Sequence, residues 1–452
     1  MEKYLTTVTD QLRCKEVRPY VEKELRDHIE DQIEYNVSKG MKQDDAEKAA
    51  VKDMGDPVET GVLLDKIHRT KMAWEVIVFT AIITIAAILL HSNIWMERKY
   101  SIEFDDGAGA YIFGFAIMLL FYYIDYTFVA RFSKIIAVFL MAVCFYLRMF
   151  DDNRYSFPCP MFALFRSVVL IDSLMLMYIP VFACILYKYR NTGVKGLIKS
   201  VLWMVVPTWY MLYRVGTFGT CLTLFFSMLV LISMAIYKGW FKVNKRVSIS
   251  VLLGTFVGIP LVSTAIGYLT DTLPEYKRIW INAIFSSTGK ADTTADTIRD
   301  LLCASKLTGK TAMNAAKILP DFDSDYVLAY ISSEFGWSVG LLVICVVLFL
   351  LSIMLRISLK QKNQLGMMIG VGVSMVLVCN VVLNVLIIIG AFPRMSTFFP
   401  LISLSESNII VTYALIGIVL SIYKYKSIYP KFVNATFPKV SIEFKFNIKE
   451  QN

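Results

Sequence analysis

The sequence predicts an all-α, polytopic integral membrane protein with about ten transmembrane helices plus a small amino-terminal cytoplasmic helical domain, and three observations carry that expectation. Of the 452 residues, 56% are hydrophobic and 18% charged, with a mean hydropathy of +0.56; soluble chains carry roughly 45–50% apolar residues. The apolar residues gather into ten stretches, each near the ~20 residues a helix needs to cross a ~30 Å hydrocarbon core. Lys and Arg gather in alternate gaps between those stretches, the pattern that orients a helical membrane protein.

The elements follow in chain order. Residues 1–32 are too charged to hold the apolar core of a signal peptide. Within residues 1–70, Val21, Leu25, Ile29 and Ile33 recur every fourth residue with charges between them, which predicts an amphipathic helix stopped near Gly40. QDDAEKAAVKDM predicts a second helix, with Gly55 and Pro57 beyond its end. The EL..HIEDQ helix, DDAEKAA and the MGDP turn resemble the permease-prefix type of amino-terminal domain, which implies a docking or regulatory module. The expected spans are 73–91, 108–128, 134–150, 161–187, 197–213, 218–237, 248–268, 326–355, 366–391 and 404–423. Backbone groups in lipid must bond within their own segment, so these are helices, and the short alternating strands of an outer-membrane barrel do not occur.

Orientation follows from the gaps. Arg131, Lys134, Lys188, Arg190, Lys195, Lys199, Lys238, Lys242, Lys245, Arg246, Arg356, Lys360 and Lys362 fall on one side, with Lys424 and Lys426 after the last span. Asp105, Asp106, Asp151, Asp152 and the acidic stretch near Asp321 fall on the other. The positive side is expected to be cytoplasmic, with both termini inside and a cytoplasmic tail at 429–452. The formal charge of +9 suits an anionic inner leaflet, and its dispersal between apolar segments argues against nucleic acid. One long outer loop, 269–325, is left as the place for chemistry. Eight cysteines show no metal-ligand spacing; Cys159 and Cys303 both lie on outer segments, so a disulfide between them stays open. The three histidines are too scattered for a zinc site.

ILPDFDSDYVLAYISSEFGW (318–337) carries three aspartates at alternate positions, Asp321, Asp323 and Asp325, which would line one side of an extended segment. Three readings compete. Asp325 could cap the helix that follows it. A calcium loop needs Gly at the sixth position and Glu at the twelfth, and Tyr326 and Ser332 stand there. A functional carboxylate at the outer membrane surface is the third, since crowding and partial burial raise a carboxyl pKa toward that of a general base. Asn380 and Asn384 share one helix face, suited either to interhelical hydrogen bonds or to a polar site. Arg166 and Asp172 lie in or near the fourth span, and six residues apart they do not face each other.

LPDFDSDYVLAYISSEFG resembles LPEAHTDFIFAVIGEELG, a motif of the SEDS proteins (RodA, FtsW, SpoVE), with Leu319, Pro320, Asp325, Ala329, Glu334 and Gly336 in register. NVVLNVLIIIGAFPRMSTFFPLIS resembles the same family's QAFVNIGMVLGLLPVTGIPLPFIS, aligning Asn384, Gly390, Pro393, Pro400, Ile402 and Ser403, with Asn380 opposite the glutamine. The resemblance implies ten spans with a large loop before the eighth, and polymerisation of lipid II, the lipid-linked peptidoglycan precursor, beside a class B penicillin-binding protein in a bacterial plasma membrane. It implies Asp325 as the catalytic base and Asn380, Asn384, Glu334 and Ser403 as substrate-binding residues. Pyrophosphate departure asks for positive charge, from a divalent cation such as Mg or from Lys277, Arg278, Lys306, Lys310 or Arg394.

The departures are specific. STFFPLISLSESN (396–408) has Ser405 and Glu406 where the family has paired glycines. The family's FQPSELAK has no clear counterpart; CPMFALFR (159–166) offers only Arg166. In GTFGTCLTL (216–224), an echo of PDLGTAL, Thr217 stands where the family has aspartate. An inactive regulator or scaffold of envelope synthesis, or a transporter or flippase of lipid-linked precursor, remain the alternatives.

Overall fold

The computed structural model describes residues 1–97, 104–149, 157–158, 168–169, 171–273, 275, 278, 281, 293–392 and 395–432, except 16, 216, 427 and 430. Four helices, α1 (Glu2–Asp10), α2 (Arg18–Ser38), α3 (Gln43–Asp53) and α4 (Pro57–His68), form the amino-terminal unit. Its small core is built from Tyr4, Leu5, Val8 and Leu12 against Val21, Leu25 and Ile29, all buried. Pro57 does not merely end α3. It opens α4, where its missing N–H is no loss, and Asp56 Oδ1 caps that helix by accepting from Val58 N and Glu59 N at 2.8 and 2.9 Å.

The membrane part continues as α5 (Trp74–Glu97), α6 (Phe104–Tyr123), α7 (Tyr126–Met149), a two-residue antiparallel pairing of Phe157–Pro158 with Val168–Val169, α8 (Ile171–Leu176), α9 (Tyr178–Lys188), α10 (Gly193–Tyr210), α11 (Phe218–Tyr237), α12 (Lys245–Leu253) and α13 (Ile259–Leu269). Then come α14 (Thr293–Ala304), α15 (Ala315–Ile318), α16 (Val327–Glu334), α17 (Trp337–Leu359), α18 (Gln364–Ile388) and α19 (Glu406–Lys424). Among the described residues eight helices are long and apolar enough to cross a membrane. The helices at the expected second and fifth spans, α6 and α10, accompany them; α10 runs on into a π-helical turn, Met211–Val215. Core and rim are distinct. Of the apolar window in α19, 78% is buried inside the protein, against 6% for Lys245–Leu269, so α12–α13 form an outer face and α19 the centre.

The expected boundaries shift in two places. The fourth span begins at Ile171, and its expected start near 161 lies outside the described residues. The eighth does not begin at 326. Residues 327–334 form a separate buried helix, α16, and the span starts only at Trp337. The break is at Gly336, whose φ of 99° and ψ of 163° lie in a region only glycine occupies comfortably. A β-carbon there would come within 2.6 Å of Leu307 O and Thr308 Cα. Residues 306–311 run against 333–338, with Trp337 N donating to Lys306 O at 3.0 Å and Thr311 N to Ser333 O at 2.8 Å.

The amino-terminal unit sits at one end of the bundle, beside the residues that follow α19. Lys71 N donates to Lys424 O at 3.4 Å, and the Tyr20 ring meets the Tyr429 ring edge-on, centroids 6.0 Å apart. Asp325 belongs to the opposite end. Gln364 and Asn384 stand at the two ends of α18, and at 1.5 Å per residue about 30 Å separates them, the thickness of a hydrocarbon core.

Candidate outer-face carboxylate site

Asp321, Asp323 and Asp325 do not lie along an extended segment. Residues 321–326 coil into turns, with Ser324 N and Tyr326 N both donating to Asp321 O at 3.1 and 3.2 Å. Asp321 itself takes a φ of 48°, in the left-handed region that aspartate tolerates better than most residues. Alternation is thereby lost: Asp321 is exposed, whereas Asp323 and Asp325 are half-buried. The N-cap position of α16 is Tyr326, so Asp325 stands one residue outside the cap.

The backbone of this turn is gripped by the last turns of α18 and by the segment between α18 and α19. Asn384 Nδ2 donates to Asp325 O at 2.8 Å and lies 3.3 Å from Thr397 Oγ1. Ser403 Oγ donates to Ser324 O at 2.7 Å while accepting from Phe399 N at 2.7 Å, and Leu404 N donates to Asp323 O at 2.8 Å. Three consecutive carbonyls, of residues 323, 324 and 325, are thus held from one side. That segment is itself anchored from the first spans: a His91 ring nitrogen, Nε2, lies 2.7 Å from Ile402 O, and Tyr111 OH donates to the same oxygen at 3.3 Å. The likeness of the two carboxyl-end motifs therefore has a structural reason, since one motif holds the other. Ser405 and Glu406, in place of the paired glycines, are the N-cap and first residue of α19.

The remaining expected site residues are placed differently. Asn380 is buried one turn deeper on α18, and its Nδ2 donates back to Val376 O at 3.1 Å. Glu334 lies at the far end of α16, its Oε2 2.6 Å from Lys310 Nζ. Its other oxygen, Oε1, is buried without a hydrogen-bond partner among the described residues, as is Asn384 Oδ1. A buried acceptor left unmet is costly. Of the expected outer cations, Lys310 is committed to Glu334 and Arg278 to Asp271 at 2.7 Å. Lys277, Pro393 and Arg394 lie outside the described residues, as do Arg166 and Cys159; Cys303 is an exposed free thiol.

Two features were not foreseen. Arg299, on α14, reaches over the end of α18, its Nη2 3.4 Å from where a β-carbon on Gly390 would lie. The sequence signal was available, because Ile298, Leu301 and Leu302 form the buried face of an amphipathic helix inside the outer loop. Asp172 faces Thr217, whose buried hydroxyl closes no hydrogen bond of ordinary geometry. A carboxylate from α8 thus stands where the echo of the family motif had lost one. The following Gly219 lies so close to the 396–397 backbone that a β-carbon would fall 2.2 Å from Ser396 O. Asn384 thus joins Thr397 to the Asp325 carbonyl, and the start of α11 packs against the same 396–397 backbone.

As for metal, no group of three or more His, Cys, Asp or Glu side chains converges among the described residues. The described carboxylates do not make a cation cage.

Asn384→Ala keeps the fold but frees the Asp325 carbonyl and the turn it anchors. Misplacement of a reacting group by about 1 Å costs on the order of a hundredfold, so turnover falls by about that factor. Steady-state kinetics of the purified variant check this.

A family model described as cell cycle protein, FtsW/RodA/SpoVE, matches residues 69–428. Curated relatives include the probable peptidoglycan glycosyltransferase FtsW of Trichlorobacter lovleyi, 27% identical over 105 residues, and stage V sporulation protein E of Bacillus subtilis, 25% identical over 107. The peptidoglycan glycosyltransferase MrdB of Escherichia coli is 30% identical over 119 residues. These matches take in 23%, 24% and 26% of this chain and 27%, 29% and 32% of the relatives, so less than a third of each relative is spanned. Among solved structures, one described as "Structural coordination of polymerization and crosslinking by a peptidoglycan synthase complex" aligns with a TM-score of 0.61 at 15% identity, covering 78% of this chain and 97% of that one. The rod shape determining protein RodA of Thermus thermophilus aligns with a TM-score of 0.54 at 15% identity and the same coverages. At these identities the structures establish a shared fold.

Proposed function

The chain belongs to the FtsW/RodA/SpoVE family of cell cycle proteins, and on that premise we propose that it is a membrane glycosyltransferase polymerising lipid II on the outer face of a bacterial plasma membrane. Asp325 acts as general base. It takes the proton from an acceptor sugar hydroxyl as that oxygen attacks the anomeric carbon of the donor glycan; the bond to the lipid pyrophosphate breaks, and pyrophosphate leaves with the electron pair. Arg299, which lies over Gly390 at the end of α18, is a cation that meets the developing charge. Asn384 and Ser403 act by holding the turn that presents Asp325, Asn384 Oδ1 and Glu334 Oε1 accept from substrate hydroxyls, and Asn380 lies one turn deeper.

The observation that supports this reading is the grip on three backbone carbonyls beside a half-buried Asp325, which holds the turn through its main chain. Both termini lie on the cytoplasmic face in this reading. The positive-inside rule, applied to the Lys- and Arg-rich gaps, supports that orientation. The amino-terminal unit, 1–70, is then a cytoplasmic docking or regulatory module, the membrane domain spans 73–428, and 429–452 is a cytoplasmic tail. A class B penicillin-binding protein is the expected partner.

The test is polymerisation of lipid II by the purified full chain, alone and with class B penicillin-binding proteins. Glycan chains longer than the disaccharide are expected in at least one pairing. Binding of lipid II without product in every pairing would instead make the chain a non-catalytic member of its family.

A further inference from the structure

The face opposite Asp325 contains a cavity of about 530 Å³ whose lining includes Arg190, Lys238, Lys431, Gln364, Asn191 and Trp240. Among the described residues its charged lining groups are all cationic. Arg190 is held rather than loose. Its guanidinium lies over the Phe432 ring at 4.0 Å and the Tyr187 ring at 4.8 Å, so two aromatic rings fix its plane. Its Nη1 is buried with no hydrogen-bond partner among the described residues. A buried guanidinium N–H without an acceptor is among the more expensive groups a protein can leave unmet.

The cavity walls are equally constrained. Asn191 takes a φ of 64° and Gly239 one of 78°, and these two turns are tied by Asn191 N donating to Trp240 O at 2.7 Å. Trp240 is buried against Tyr187, rings edge-on at 5.6 Å. The third wall is the segment after α19, pinned where Gln364 N donates to Lys431 O at 3.0 Å. Three turns from distant parts of the chain therefore place three cations around one space. The Gln364 Oε1 acceptor in it is also buried and unpartnered, and a protonated phosphate oxygen or a headgroup hydroxyl would donate to it.

We propose that this cavity binds a phosphate group. Guanidinium matches phosphate oxygens bidentately, and the two lysines add point charges. Two sources share that chemistry: the headgroup of an anionic phospholipid in the adjacent leaflet, and a free soluble phosphate. The site borders the amino-terminal unit, since Tyr429, which meets Tyr20, precedes Lys431 by two residues. Occupancy would order the segment on which that unit rests.

The experiment uses the full chain in phosphatidylcholine nanodiscs. One arm replaces part of the lipid with phosphatidylglycerol, and the other adds inorganic phosphate. Lipid retention is read by native mass spectrometry and the thermal midpoint by intrinsic fluorescence. A rise in midpoint with retained phosphatidylglycerol identifies a lipid site; a rise with inorganic phosphate alone identifies a soluble ligand. In either case Arg190→Gln weakens binding by about tenfold or more, as expected for loss of a charge-assisted bidentate contact. Arg190→Lys recovers only part of it. The exposed Lys195→Gln on the same face leaves it unchanged. No midpoint shift in either arm overturns the proposal, as does a loss in Lys195→Gln equal to that in Arg190→Gln, which would mean general surface attraction. These readouts do not involve polymerisation, so they stand or fall apart from the reading of Asp325.

Discussion

Asp325→Asn is expected to lower lipid II polymerisation by about 10²–10⁴-fold, the range supplied by a positioned general base. The substitution is close to isosteric, so the turn is preserved. The grip on it is made by backbone carbonyls, of Asp323, Ser324 and Asp325, and none of those three bonds uses the Asp325 carboxylate. The variant should insert, purify and melt like the parent and still bind lipid II. An asparagine side chain cannot take the proton that the acceptor hydroxyl must lose. Product measured from purified protein decides the matter, and parental activity in Asp325→Asn would remove this residue from the mechanism.

The second large effect is on stability. Gly336→Ala should lower the thermal midpoint sharply and take activity with it. The backbone at 336 has a φ of 99°, where an L-residue is strained by on the order of 1–3 kcal/mol. The new β-carbon would also stand 2.6 Å from the Leu307 carbonyl oxygen, a backbone atom that cannot swing away. Relief requires residues 306–311 to separate from 333–338, breaking the hydrogen bonds that hold the outer loop onto α16. Since α16 follows Asp325 directly, the carboxylate shifts with it. The change should appear as faster proteolysis within residues 300–312 as well as a lower midpoint. A midpoint within a degree or so of the parent, in a two-state melt, would show that this junction is looser than the geometry implies.

Asp325 was legible because the signal is local: LPDFDSDYVLAYISSEFG is contiguous, and so is the stretch that ends in Ser403. Their mutual contact was not. Asn384 and the Asp325 carbonyl are 59 residues apart, and Ser403 and the Ser324 carbonyl 79. Asn380 and Asn384 look equivalent in sequence, four apart on one face. In the structure the first bonds its own helix and the second the turn at Asp325, because one helical turn decides which of them reaches the end of the bundle. The expected eighth span ran through Gly336 because hydropathy averages over a window and does not see one residue's φ. Arg299 was hidden in a loop read for its charges rather than its helical period, and the Asp172–Thr217 pairing joins two spans whose order along the chain does not reveal it.

The sequence by itself determined the fold class, the number of apolar segments to expect, the family, and the aspartate worth testing. Each of those is a sum or a pattern over neighbouring residues, and transfer of apolar side chains out of water is nearly additive along a chain. Tertiary structure alone decided which polar groups meet: the three carbonyls held behind Asp325, and the three cations gathered around one cavity at the other end of the bundle. Those are contacts between segments up to hundreds of residues apart, such as His91 with the Ile402 carbonyl across 311 positions. They depend on how helices pack, which no local pattern encodes.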